Sequence, residues 1–196
     1  MLEILTGTGL AAAAGLNAYI PLLTLGLASR FLEFVQLPPS WAWLSNEWVL
    51  VILGVLLVIE IVADKIPVVD TINDWLQTVI RPAAGGIVFG SGSTSQTAFV
   101  SNPNEFFSSN QWLPIVVGIV IALVFHLVKT GFRPIVNTVT AGMAAPAVSA
   151  AEDAGSVTLT LAALLLPVLV ILVIALVVIG FIALFRRATA GAEASA

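Results

Sequence analysis

The chain has 196 residues, of which 59% are hydrophobic and 9% charged, and its mean hydropathy is +1.09. Soluble domains carry about 25% charged residues, so this composition excludes a soluble enzyme. A net charge of −4 leaves no basic surface for nucleic acid, and the lack of cysteine excludes disulfides and thiolate metal sites. The composition predicts an all-α polytopic transmembrane helix bundle that forms a single membrane domain over residues 1–196.

The N-terminal elements comprise one predicted span, one interfacial segment and a second span. Residues 7–29 form an apolar stretch that contains Asn17 and lacks the basic start of a signal peptide, so they are interpreted as a mature first span. Residues 31–47, rich in Trp and Pro, predict a segment that lies on the outer membrane surface. Residues 48–64 begin with Trp and end in charge, which indicates a helix running from outside to inside.

The remaining elements alternate between clear and ambiguous spans. Residues 112–129 repeat the pattern of a Trp start and a charged end, and the apolar segment 161–185 is followed at once by two arginines, predicting a flanking span over 158–185. Segments 67–90 and 134–155 are rich in Ala, Gly and Pro, and each fits a full crossing, a broken helix or a re-entrant segment. Irregular backbone at membrane depth must be covered by protein or line a wet cavity, so both are expected to face the bundle interior.

Six membrane-embedded segments bring most basic residues to one side. The positive-inside rule makes that side cytoplasmic, which leaves the loop 91–111 outside and Arg30 as an exception. The predicted location is a bacterial inner membrane, with both termini cytoplasmic and the lipid bilayer as partner. The residues placed on the cytoplasmic side are Lys65, Lys129, Arg133, Arg186 and Arg187.

An internal repeat relates two units at about 48–90 and 112–155. A shift of 64 residues aligns Trp48 with Trp112, Lys65 with Lys129 and Asn73 with Asn137 without a gap. Hairpin units would make the repeats parallel, and re-entrant units would make them inverted; transporters use both arrangements and place their sites between the repeats.

Two acidic residues lie one turn apart in the second span. Glu60 and Asp64 share a helix face, and two carboxylates at that spacing in low dielectric favour a bound proton or cation between them. The alternative is that Glu60 pairs with His126 or Lys129, and that Asp64 sits in headgroup water.

A polar stripe follows in the segment 67–90. It consists of Asp70, Asp74, Gln77 and Arg81, opposite an apolar stripe. The stripe fits an amphipathic helix resting at the interface. It also fits the lining of a cavity in which Arg81 acts as a counter-charge or an anion ligand.

Further polar residues complete the candidate set. Candidate counter-charges for the acidic residues are Lys65, His126, Lys129 and Arg133. The lone histidine could instead gate by protonation. Asn17 needs a hydrogen-bond partner at depth and is expected to meet one of the ambiguous segments, where Asn137 joins the pathway. Glu152 and Asp153, near the predicted outer end, are a surface pair or the outer mouth of a path.

Several of these residues also carry a resemblance to a known family. The segment from Gly15 to Leu23, the series Glu60, Asp64, Asp70, Asp74 and Arg81-Pro82, and the series Arg133, Asn137, Pro146 and Glu152-Asp153 resemble a family of small bacterial integral membrane proteins catalogued as a domain of unknown function. The resemblance covers nearly the whole chain. It implies no activity and transfers no role to these residues.

The charges inside apolar segments favour a small transporter or permease with a proton- or cation-linked pathway at the repeat interface. An oligomeric ion channel and a non-transporting scaffold or assembly factor are the alternatives. Motifs of metalloproteases, serine hydrolases and nucleotide-binding proteins are absent, so no enzyme and no cofactor are predicted. The sequence indicates neither a metal nor a substrate.

Overall fold

The computed structural model describes residues 2–93 and 112–193, and all regular structure in these ranges is helical. Residues 94–111, most of the predicted outer loop, lie outside the described part of the chain. A 3-10 helix at Pro39–Ser45 precedes the third α-helix. The α-helices are α1 (Leu2–Leu16), α2 (Tyr19–Phe31), α3 (Glu47–Ala63), α4 (Pro67–Ser93), α5 (Trp112–Val139), α6 (Ala145–Leu165) and α7 (Leu169–Glu193).

The described helices turn apolar side chains outward and charged side chains inward. On α4, Ile72, Trp75 and Val79 are exposed, whereas Gln77 and Arg81 are buried. The exposed faces of α3 and α5 consist largely of Val, Ile and Leu. Water would not stabilise this distribution, because apolar surface is driven out of water and unpaired charges are driven into it. A bilayer accommodates it.

Helix α1 occupies the centre of the bundle, packed against α4, α5 and α6. Its small residues allow this, because a side chain at Gly9 would meet Ala163 and one at Gly15 would meet Ala122. Small residues are the usual means by which membrane helices approach closely. The Ala-rich run from Ala11 to Ala14 is fully buried.

The predicted first span, 7–29, is not one continuous helix but a helical hairpin of α1 and α2. Leu10 of α1 lies against Gly92, near the end of α4, while Gly26 of α2 lies against Leu44 and Leu50. Because Trp41 of the 3-10 helix also contacts the last turns of α4, both open ends of the hairpin lie at one end of the bundle, here called the tryptophan end. The helix is interrupted at Asn17, whose side-chain oxygen accepts hydrogen bonds from the first backbone N–H groups of α2 in place of backbone carbonyls.

The predicted last span, 158–185, is likewise divided between two helices. Pro167 lies in the break between α6 and α7, because proline lacks an N–H group and its ring clashes with the preceding turn. Gly9 lies against both Ala163 and Val170, and further along Gly155 of α6 lies against Val177 of α7. The two helices are therefore antiparallel, with their connection at the tryptophan end. It follows that α1 begins and α7 ends at opposite ends of the bundle, whereas the sequence led us to expect both termini on one side.

The two ambiguous segments behave differently from each other. Residues 67–90 belong to one continuous helix, α4, which passes through Pro82. Residues 134–155 comprise the end of α5, a turn with Gly142 at positive φ, and the start of α6. The two predicted repeat units thus form the helix pairs α3–α4 and α5–α6. Their ungapped alignment does not carry through the turns, because Lys65 lies in the first turn whereas Lys129 lies inside α5.

Length and composition support fewer spans than the six predicted. Within the described residues, α5 and α6 are each long and apolar enough to cross a membrane, and the 3-10 helix with α3, bent by 61°, makes a third candidate. Helix α3 alone has 17 residues, about 26 Å at 1.5 Å per residue. Helix α4 is long, but its inward polar stripe lowers its hydropathy. Helices α1 and α2, with 15 and 13 residues, are each shorter than the roughly 20 residues that a crossing needs.

Candidate functional site

The C-terminal end of α3, the second half of α5 and the first half of α6 together form one buried ion-pair cluster. The Nζ atom of Lys129 lies 3.2 Å from Asp64 and 3.1 Å from Glu152. The guanidinium of Arg133 lies 2.6 Å from Glu152 and 3.3 Å from Asp64. Lys129 also donates to the carbonyl of Leu16 at 3.3 Å, one of the carbonyls that a helix end leaves unpaired. Two acids and two bases therefore balance each other in this part of the site.

A second cluster surrounds Arg81 of α4, whose side chain is fully buried. Its Nη2 atom lies 3.0 Å from Glu60 and 3.8 Å from Asp64, and its Nη1 atom lies 3.9 Å from Asp74. Among the described residues, Arg81 is the only base within ion-pair distance of Glu60, and it is also the only one within that distance of Asp74. Asp74 has the longest contact, so it is the least well compensated of the buried acids.

His126 is neutral in this arrangement. Its Nδ1 atom lies 3.2 Å from Nη1 of Arg81, and a guanidinium can only donate, so Nδ1 is unprotonated. The proton then resides on Nε2, which lies 3.0 Å from Oγ1 of Thr78 and 3.4 Å from that of Thr130. His126 therefore orients Arg81 and adds no positive charge.

The joined clusters hold a surplus of one negative charge. Because His126 is neutral, four carboxylates face three bases among the described residues. An uncompensated charge in a low-dielectric interior costs several kcal/mol and is normally neutralised by a proton or counter-ion. The carboxylates are Glu60, Asp64, Asp74 and Glu152, and the bases are Arg81, Lys129 and Arg133.

A cavity of about 730 Å³ adjoins the surplus carboxylate. It lies between the first half of α4 and the last half of α5 and is open on one side. Asp74 and Arg133 connect it to the buried clusters, and six of the eight described residues that line it are polar. The lining residues are Asp74, Trp75, Thr78, Thr130, Arg133, Pro134, Asn137 and Thr138.

The tip of the α1–α2 hairpin reaches the same region. Asn17 donates its amide to Asp153 at 3.0 Å, which confirms the expectation that it meets one of the ambiguous segments. Its Oδ1 atom accepts from the backbone N–H groups of Tyr19 and Ile20, so it caps α2. The hairpin is thus fixed to α6 beside Glu152.

Replacing Asn17 by alanine should lower the free energy of unfolding by about 2–4 kcal/mol, because the change removes a helix cap and leaves Asp153 short of a donor. Asn46 provides a matched control, since it caps α3 through the Trp48 N–H group at an exposed position. Asn46→Ala should cost about 1 kcal/mol. Unfolding in mixed detergent micelles measures both, and equal losses would contradict a buried role for Asn17.

Several predicted site residues lie elsewhere than expected. Lys65 is exposed, donates to the carbonyl of Ile61 at 2.9 Å and forms no ion pair with the buried acids within the described residues. Glu152 and Asp153, predicted as an outer mouth or a surface pair, lie near the start of α6, at the end opposite the tryptophan end, and Glu152 belongs to the buried cluster. Glu60 pairs with Arg81 instead of His126 or Lys129. The side chain of Asp70 lies outside the described part of the chain.

Other site residues escaped the sequence analysis. Asn73 donates to Asp64 at 2.9 Å, and Thr78 and Thr130 contact His126. Their spacing on α4 and α5 places them on the inward face, but threonine and asparagine also occur there as simple helix contacts. In the described ranges, no group of three or more acidic or histidine side chains has the arrangement of a metal site.

The fold and the site define a helical bundle suited to a membrane, with a charged interior and one polar cavity in its described part. The chain belongs to the family described as domain of unknown function (DUF4126), whose model matches residues 4–187. This bears out the resemblance noted in the sequence. No curated protein and no solved structure matches the chain.

Proposed function

We propose that this protein is a small membrane transporter whose polar pathway leads from the cavity to Asp74 and is linked to a proton or another cation. The observation that carries the proposal is a surplus buried carboxylate at the wall of an open cavity. A purely structural ion-pair network would be expected to balance its charges. A surplus acid that reaches a cavity can exchange its counter-ion.

The proposed topology has five crossing helices, α3 to α7, and one re-entrant hairpin, α1–α2. These make up the six membrane-embedded segments. Lys65 and Arg186 lie toward the end opposite the tryptophan end, and the positive-inside rule assigns that end to the cytoplasm. Lys129 and Arg133 no longer count as orientation markers, because they are buried. The predicted setting remains the inner membrane of a bacterium, with the N-terminus outside.

Proteoliposomes test the proposal through Asp74→Asn. Internal pH and sodium indicators would follow ion movement under an imposed membrane potential, with a panel of small organic solutes supplied on each side. We expect the wild type to move ions above protein-free liposomes and Asp74→Asn to lose at least about nine-tenths of that flux, since the exchangeable site is gone.

The matched control is Glu33→Gln, an equivalent neutralisation at an exposed position between α2 and the 3-10 helix. It should transport like the wild type. Wild-type liposomes indistinguishable from protein-free ones across the panel would contradict the proposal. That outcome would favour a non-transporting scaffold, for which the balanced pairs of Lys129 and Arg133 are the supporting observation.

A further inference from the structure

The cavity arises because α4 and α5 are in close contact near one end and diverge toward the other. Gly85 and Gly118 bring the two backbones together, since a side chain on either would meet the other helix. Past this contact the cavity opens between residues 74–78 and 130–138. Its volume of about 730 Å³ far exceeds the space that a bare ion needs. It falls in the range of about 300–1,000 Å³ typical of small organic ligands.

Most polar groups on the cavity wall already have partners. The hydroxyls of Thr78, Thr130 and Thr138 donate to backbone carbonyls one turn earlier at 2.7–2.9 Å. Arg133 is engaged by Glu152 and Asp64. These contacts reduce the attraction that the wall could offer to an anion.

Asp74 is the buried, charged exception on this wall, beside the half-buried amide of Asn137. Its Oδ1 atom is buried and accepts no hydrogen bond, and its nearest base is Arg81 at 3.9 Å. Only 8% of the residue is exposed. The carboxylate charge is therefore poorly compensated from inside the bundle, and the part of Asp74 that reaches the cavity favours a ligand that brings a positive charge or an N–H group.

Trp75, the next residue, also lines the cavity and is 79% exposed. An indole next to a carboxylate is a favourable surrounding for an organic ammonium group, because the ring face attracts cations and the acid supplies the counter-charge. Pro134 adds apolar surface opposite. The cavity therefore combines one unpaired negative group with aromatic and aliphatic walls.

We infer that the cavity binds an amphipathic organic cation, a protonated or quaternary amine with an apolar body, using Asp74 as counter-ion and Trp75 as aromatic wall. The inference rests on the proposed function in that the cation would be its substrate. It names the class of molecule that the surplus charge and the cavity volume accept together.

Tetraphenylphosphonium and tetraphenylborate test the inference, since they share one shape and carry opposite charges. Equilibrium dialysis against detergent-solubilised full-length protein should give saturable binding of the phosphonium and none of the borate. Asp74→Asn should weaken the phosphonium binding at least about tenfold, and Asp74→Glu should remain within about threefold of the wild type. Trp75→Ala should weaken it about three- to tenfold.

Glu33→Gln should bind like the wild type, and thermal unfolding of each variant shows whether it is folded. Trp75→Ala keeps the inference testable if Asp74→Asn does not fold, because an exposed side chain contributes little to packing. Three results would each overturn the inference. They are no saturable binding of the phosphonium to the wild type, equal binding of the two probes, and unchanged binding in the folded variants of Asp74 and Trp75. Ion flux without phosphonium binding would defeat this inference alone, whereas Asp74-dependent binding without any flux would defeat the proposed function alone.

Discussion

Replacing Lys129 by methionine should lower the free energy of unfolding by about 3–5 kcal/mol, the range found when one partner of a buried ion pair is removed. Lys129 is fully buried and contacts Asp64, Glu152 and the Leu16 carbonyl at 3.1–3.3 Å. Methionine fills a similar volume, so the loss would reflect one carboxylate left without a counter-charge and not a cavity. Unfolding in mixed detergent micelles measures the change.

Lys65→Met is the matched control, because Lys65 is exposed. Surface changes of this kind alter stability by no more than about 0.5 kcal/mol. Adding Glu152→Gln to Lys129→Met should recover part of the loss, since Asp64 and Arg133 then remain as a balanced pair. Equal effects of the two lysine changes would show that the buried cluster does not stabilise the fold.

Gly118→Ala should destabilise the bundle by about 2–3 kcal/mol through overpacking. A Cβ atom at this position would lie 2.5 Å from Cβ of Phe89 and 2.9 Å from the carbonyl carbon of Gly85. The backbones of α4 and α5 would have to separate, and Phe89 is itself buried. The same micelle unfolding assay reports the loss.

Gly131 provides the control within the same helix, because nothing lies within 4 Å of a Cβ atom placed there. Gly131→Ala should be neutral or stabilise by up to about 1 kcal/mol, since alanine favours helix more than glycine does. If Gly118→Ala behaved like Gly131→Ala, the close contact of α4 and α5 would not exist in the membrane.

The class of fold and the inward charges could be predicted from the sequence. Asp74, Gln77 and Arg81 fall on one face of α4 at helical spacing, so their burial together follows from the period of the helix. The apolar stripe opposite them fits two placements of α4 equally well, a helix embedded in lipid and a helix resting at the membrane interface. That choice depends on the partner helices α3 and α5, which supply Glu60 and His126 as the contacts of Arg81.

The connections between helices were harder to predict. An apolar run such as 161–185 gives no sign of direction, so one crossing and a hairpin around Pro167 have the same hydropathy. The α1–α2 hairpin could not be predicted for the same reason. Asn17 indicates an interruption of the helix, but it does not indicate that the chain reverses direction there. Its reversal follows from contacts far apart in sequence, those of Leu10 with Gly92 and of Gly26 with Leu44.

Cysteine accessibility tests most directly the central claim, that a wet polar cavity adjoins buried charges inside a surface that faces lipid. The chain has no cysteine, so single substitutions can be labelled with a charged maleimide in native membranes. Val79 and Thr138 are both exposed in the structure, but only Thr138 lines the cavity. We expect fast labelling of Thr138→Cys and almost none of Val79→Cys, because maleimides need a thiolate in water. Fast labelling at Val79 would place the apolar surface in water, and no labelling at Thr138 would leave the cavity dry; either result contradicts the account.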